Sequence, residues 1–449
     1  MKLSDIPTEI ERLAEDCEAQ LAARFAEIDR VARGNTKRVM EAFQEFRVSE
    51  ACFAGTTGYG YDDLGRETLD KIWARVFGAE AALVRTGFVN GTHAIASALF
   101  AAVGPGELLM PLMGAPYDTL RTAIGITGDA YGSLAFYGVK YAEVPTKDGG
   151  PDLAAIEREV GEKRPRAVLI QRSRGYDSRR ALSAEEVGEL CRLVKRVSPD
   201  TVCVVDNCYG TRPSFSVEQI GQLIAFCKRC KPDVICMVDN CYGEFTELAE
   251  PTMLGADLAA GSLIKNPGGG LAPTGGYIAG RADLVERAAY RLTVPGIGGE
   301  CGCTLGTNRQ LYQGLFLAPH TTAQALKTAA LCAAMLEKLG FDTEPGPQEP
   351  RYDIIQTVTL KTPENLKRFC RGIQAGSPVD SYVTPEPWQM PGYEDEVIMA
   401  AGAFIQGSSI ELSADGPMRA PYRAFLQGGL TYESGRLGIM NAIAEMLEK

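Results

Sequence analysis

Two short apolar runs, each stopping on one polar residue, constrain the fold more than anything else in this sequence. Val234-Ile235-Cys236-Met237-Val238 stops on Asp239. Ala259-Ala260-Gly261-Ser262-Leu263-Ile264 stops on Lys265, which passes straight into Asn266-Pro267-Gly268-Gly269-Gly270. Apolar runs this short, bounded by turn residues, read as strands of a parallel sheet covered on both faces. Ligands of such sheets bind beyond the carboxyl ends of the strands, so Asp239 and Lys265 are expected on neighbouring strand ends, facing one site. Taken singly, an Asp there is a turn or cap residue and a Lys before Asn-Pro-Gly is a solvated loop residue. The pair, with the small-residue loop behind it, points to chemistry.

The first of these strands belongs to a tandem repeat. Residues 181–210 align without gaps on residues 214–243, at an offset of 239 − 206 = 33, and about half the aligned positions are identical. Each copy reads as a helix capped by Ser183 or Ser216, then a strand ending Val-Asp-Asn-Cys-Tyr-Gly. One pair is too short for a solenoid. Asp206 and Asp239 are equivalent, and Asp239 is preferred because its copy runs directly into Glu244-Phe245 and on to Lys265. The spare helix and strand are expected at the periphery of the sheet or looped out, with disruption of the fold as the alternative.

A chain of 449 residues can bury a large core in two or three domains. We expect a helical arm over 1–57, broken at Gly34-Asn35 and packed on a partner subunit, a large domain over 58–307 and a small α+β domain over 308–449. The small domain should carry strands at 354–359 and 403–412. The net charge of −11 argues against binding nucleic acid or an anionic membrane, and no apolar run is long enough to span a bilayer. The acidic, amphipathic N-terminus resembles no targeting peptide, so a cytoplasmic protein is expected. Its 13 cysteines then read mostly as small buried apolar groups. Cys227-Lys228-Arg229-Cys230 has zinc-ligand spacing but sits in a helical pattern with no second pair, so no metal site is expected.

Other segments break the periodicity where chemistry could sit. The turn before Asn90-Gly91-Thr92-His93 feeds a helix, and a helix start with Gly91 and Thr92 in its first turn is a natural phosphate cradle. Arg172 and Arg174 follow the strand 167–171. The loop from Gly55 to Asp63 holds Tyr59 and Tyr61, and Tyr117 follows the strand that ends near Met113.

A lysine for a Schiff base and an acid for the pyridinium nitrogen are what pyridoxal phosphate requires. The motifs QRSRGY, VDNCYGEF, SLIKNPGGGLAPTGGYIAG and LQGGLTYE resemble the methionine gamma-lyase-like, aluminium-resistance-associated carbon–sulfur lyases. The likeness runs from about Gly58 to the end. It implies the fold-type-I pyridoxal-phosphate transferase architecture: an α/β fold with a mostly parallel sheet flanked by helices and a smaller α+β domain. It implies a homodimer or homotetramer with active sites at the subunit interface. It further implies a phosphate contact from Ser262, a ring-stacking Tyr117, a Tyr59 reaching a neighbour's cofactor phosphate, and a substrate carboxylate held by Arg419. Arg172 and Arg174 become candidates for the substrate carboxylate or the cofactor hydroxyl. Arg66 is the nearest counterpart of an arginine expected beside Tyr59. The implied activity is β- or γ-elimination on cystathionine, cysteine or methionine. Another pyridoxal-phosphate reaction, or a non-catalytic remnant, remains the alternative, and a zinc-thiolate module is the third class.

Overall fold

In a computed structural model of the chain, the residues described are all but 1, 2, 4, 5, 60, 117, 128–130, 172–181, 207–214, 231–234, 391–394 and 449; side chains are also left undescribed at 118, 119, 184, 205, 206 and 230. The strands of the large sheet are β1 (Ala81–Arg85), β2 (Leu108–Pro111), β3 (Lys140–Tyr141), β4 (Ala167–Gln171), β5 (Val202–Asp206), β6 (Cys236–Asp239), β7 (Leu258–Ser262) and β8 (Gly276–Gly280). Their order is β1-β8-β7-β6-β5-β4-β2-β3. Only β8 runs against the rest, pairing antiparallel with both β1 and β7.

Period-two alternation explains why these runs are apolar throughout. Val168, Ile170, Cys203, Cys236 and Val238 face one layer with helices Leu153–Lys163, Ala184–Val197 and Val217–Cys230. Ala167, Leu169, Val202, Val204, Ile235 and Met237 face the other, with Ala94, Ala98 and Leu99 of helix Gly91–Ala102 and Leu284, Val285 and Ala288 of helix Ala282–Leu292.

The duplicated unit is neither peripheral nor looped out. Copy one gives helix Ala184–Val197 and β5; copy two gives helix Val217–Cys230 and β6. Strand β5 pairs in parallel with β4 on one side and β6 on the other. The spare strand is therefore central, inserted between β4 and β6. Similar units pack as neighbours because each presents a matching apolar helix face and the same strand register. Both helices start with a reciprocal cap: Ser183 with Glu186, and Ser216 with Gln219.

Gly34-Asn35 does not break the N-terminal arm, which is one helix, Thr8–Glu45. A Cβ at Gly34 would lie 2.5 Å from Leu248 Cδ2. Asn35 is buried, and its Nδ2 donates to the carbonyls of Phe245 (3.0 Å) and Glu247 (2.9 Å). Tertiary contact, rather than a turn, requires this pair, and the arm packs against its own chain.

The second sheet, of β9 (Asp342–Glu344), β10 (Gln356–Thr359), β11 (Val397–Ala400), β12 (Ser413–Pro417) and β13 (Arg423–Gln427), is antiparallel in the order β11-β12-β13-β10-β9. It packs with the long helix Asn308–Lys338, helix Pro363–Ala375 and helix Tyr432–Leu447. The expected strand over 403–412 is instead a compact loop. Glu411 closes it by accepting from the Phe404 and Ile405 N–H groups at 2.8 and 2.9 Å.

A half-buried acid gives the fold a pH dependence. Glu247 accepts from the N–H of Val217 at the start of the second repeat helix, and burial, outweighing that hydrogen bond, pushes its carboxyl from 4.5 up to about 7. Between those values the folded chain binds more protons than the unfolded chain, so this contribution to stability falls as pH rises through the window. Glu247→Gln keeps an acceptor and removes the charge. It is expected to stabilise by about 1–2 kcal/mol near pH 8 and by almost nothing near pH 4, read as the difference between urea midpoints.

Candidate active site

Strands β6 and β7 are hydrogen-bonded neighbours, with Asp239 opposite Ala260. By alternation Asp239, Ser262 and Cys241 turn to the layer that holds helix Gly91–Ala102. The start of that helix comes down on them: a Cβ at Gly91 would lie 3.1 Å from Ser262 Cβ and 3.3 Å from Cys241 Sγ. Asn90 caps the helix by accepting from His93 N at 2.9 Å, leaving the first-turn N–H groups of Gly91 and Thr92 outside the helix's own ladder. Ser262 Oγ is buried with no hydrogen-bond partner. A buried hydroxyl without a partner costs about 1–3 kcal/mol. A bound anion would satisfy it together with the helix start.

The Asp239 carboxyl is pushed well above the usual range, first by burial and next by Cys241, while Lys265 and the Cys241 N–H pull it down. That N–H donates to Asp239 Oδ1 at 3.1 Å. Lys265 lies three residues past β7, half-buried, its Nζ 3.8 Å from the centre of the Tyr242 ring. A lysine, a carboxyl that senses its charge, an unpartnered serine hydroxyl and a helix start made close by glycine are thus gathered at one sheet edge. They fit a phosphorylated pyridine aldehyde.

Sequence reasoning missed the residues that hold this arrangement. Tyr242 sits at φ 73° and buried, its hydroxyl 3.2 Å from Ser409 Oγ in the loop before β12. Asn266, beside the lysine, donates to the carbonyls of Tyr242 (2.9 Å) and Glu244 (3.0 Å), tying together the turns after β6 and β7. Below them Tyr277 OH donates to Glu244 at 2.9 Å, and Asn240 and Arg38 hold Glu250 at 3.1 and 3.3 Å. The only sequence signal was that Asn240, Tyr242, Glu244 and Glu250 fall between the two strand ends and Asn266 directly follows Lys265.

The glycines after Lys265 serve close packing. A Cβ at Gly268 would lie 1.7 Å from the Leu263 carbonyl oxygen, and one at Gly314 of helix Asn308–Lys338 would lie 2.3 Å from the Gly268 carbonyl oxygen. Gly268→Ala is expected to cost about 2–4 kcal/mol or to prevent folding, as a lowered denaturation midpoint.

The other expected residues divide. Tyr59 is 86 % exposed and does not join the cluster within one chain. Arg66 is buried and committed to the carbonyls of Glu300 (2.5 Å) and Gly302 (3.2 Å), so it is a loop clamp. Arg419 pairs with Asp395 at 2.8 Å. It lies just beyond the end of β12, whereas Ser409, which touches Tyr242, precedes that strand. Tyr117, Arg172 and Arg174 lie outside the described residues. Cys227 packs in the core with the thiols of Cys191 and Cys236; among the described residues no group of three or more His, Cys, Asp or Glu is arranged to hold a metal ion, and no helix is long and apolar enough to cross a membrane.

Comparison with known proteins gives this geometry a context. An uncharacterised protein of Bacillus subtilis is 45% identical over 442 residues, covering 98% of this chain and 97% of the relative. A crystal structure from Clostridium novyi, described as a carbon-sulfur lyase involved in aluminium resistance, is 47% identical with a TM-score of 0.83, covering 98% of this chain and 97% of that one. A pyridoxal-5'-phosphate-dependent protein of Escherichia coli, 18% identical, has a TM-score of 0.54 over 94% of this chain and 97% of its own; it shows the fold alone, that of the fold-type-I pyridoxal-phosphate enzymes. The model of the methionine gamma-lyase family matches in two stretches, residues 10–211 and 209–447, which meet at the junction of the two repeat copies. Matched along nearly its whole length, the chain belongs to the methionine gamma-lyase family.

Proposed function

We propose that this chain binds pyridoxal 5'-phosphate and cleaves a carbon–sulfur bond of a sulfur-containing amino acid by β- or γ-elimination. The observation that carries the reading is the pairing of β6 with β7, which sets Asp239 and Lys265 at one sheet edge beside the unpartnered Ser262 hydroxyl. Gly91, Thr92 and Ser262 would hold the phosphate, Asp239 the ring nitrogen and Lys265 the aldehyde carbon. Bound there, the cofactor supplies an electron sink for the charge that develops at the substrate α-carbon.

The protein's own part is placing charge and moving protons. Asp239, buried and held by the Cys241 N–H, favours a protonated nitrogen beside it. Lys265, once its amine is free, would take the α-proton as a base, standing half-buried at the mouth of the site. A thiolate leaves with modest acid help, its thiol pKa being about 8.5. Tyr59 of a neighbouring copy or Tyr117 could give that help, and the exposure of Tyr59 supports a homodimer or homotetramer with shared sites. Carbon–sulfur cleavage, as opposed to another reaction of the same cofactor, is supported by the Clostridium novyi relative. The test is keto-acid formation from cystathionine, cysteine and methionine together with the absorbance spectrum of the purified protein. A cofactor spectrum without product would favour a non-catalytic remnant; no cofactor spectrum would remove the proposal.

A further inference from the structure

Nine of the eleven described cysteines are buried. The two that solvent reaches, half-buried Cys301 and exposed Cys303, stand in one Cys-Gly-Cys tripeptide. That tripeptide rests on the loop that carries Tyr59. Gly302 N donates to the Gly58 carbonyl at 2.8 Å, and Cys301 Sγ lies 3.7 Å from the Tyr59 carbonyl oxygen. Arg66 fixes the carbonyls of Glu300 and Gly302 from below.

We infer that Cys301 and Cys303 are a reversible dithiol–disulfide couple that exchanges with small disulfides and is linked to the Tyr59 loop. Spacing allows it. Two extended residues span about 6.6–7.2 Å between Cα atoms, and disulfides close at about 4.4–6.8 Å, so a slight bend at the middle residue suffices. Gly302 is the residue that can bend: its φ is 130°, and a Cβ there would meet nothing within 4 Å. A bridge closed over one residue is strained and therefore readily reduced.

The exchange balances without a further reactant. The Cys303 thiolate attacks one sulfur of a small disulfide, forming a mixed disulfide and releasing one small thiol. Cys301, its proton given to solvent, attacks the Cys303 sulfur and releases the second. The protein loses two electrons and two protons, and the small disulfide becomes two thiols. Closing the bridge consumes the S–H that faces the Tyr59 carbonyl and bends the residue whose N–H holds Gly58, so oxidation loosens the Tyr59 loop.

The test uses the full-length protein with oxidised glutathione, read by peptide mass, and needs no turnover, so it is independent of the lyase reading. In the native protein a bridged peptide containing residues 301 and 303 is expected, without retained glutathione and reversible by dithiothreitol. Cys301→Ser should keep one glutathione on Cys303, and chymotryptic cleavage after Tyr59 should quicken several-fold on oxidation of the wild type but not of Cys301→Ser/Cys303→Ser. A stable glutathione adduct in the wild type, or no reaction at either residue, would overturn the couple. A bridge that leaves the cleavage rate unchanged would overturn its link to the loop.

Discussion

Lys265→Ala is expected to leave a folded protein that no longer carries covalently held cofactor and no longer releases keto acid. The lysine is half-buried, and its ammonium rests on the Tyr242 ring, a contact worth about 0.5–2 kcal/mol, so the stability loss should be small. Loss of the base alone removes on the order of 10²–10⁴ in rate, and loss of the covalent link adds to it. Borohydride reduction followed by peptide mass should find the cofactor on Lys265 in the wild type and on no lysine in the variant. Wild-type cleavage by Lys265→Ala would sink the proposed chemistry.

Asp239→Asn should cost on the order of 10²–10³ in turnover, the scale for removing one charge-stabilising group from a dry site. Asparagine keeps the Oδ1 that accepts from Cys241 N and relieves a carboxyl whose ionised form burial disfavours, so folding should be unharmed and the loss specific to the ring nitrogen. The repeat supplies a control inside the same molecule. Val205 pairs with Val238, so residue 206 stands level with 239, one strand further from Lys265. Asp206→Asn is expected to leave turnover within about twofold, since a charge one strand away, about 4.8 Å further off, acts more weakly through Coulomb's law. Equal losses at both positions would mean that the wrong copy has been credited.

Local signals carried much of this. The strand 167–171 is found where its apolar run lies, both serine caps form, and Asp239 ends its strand. Such features depend on neighbours a few residues away, and period and capping report them. Gly34-Asn35 looked like a break because its partners, Leu248 and the carbonyls of 245 and 247, are over two hundred residues distant. Residues 403–412 looked like a strand because their apolar side chains pack from a loop that Glu411 closes on itself. Tyr242 gave no sign of its left-handed backbone or its bond to Ser409. The place of the spare strand was hidden for a plainer reason: the repeat's sequence is the same wherever the sheet admits it.

The central position of β5 has a consequence for how such a protein can change its size. Each repeat carries its own crossover, its own ladder of hydrogen bonds and its own oily cover, so a whole cassette slots in while the seam between β6 and β7 is undisturbed. Growth happens sideways, and chemistry confined to a single seam is indifferent to how many staves stand on its far side.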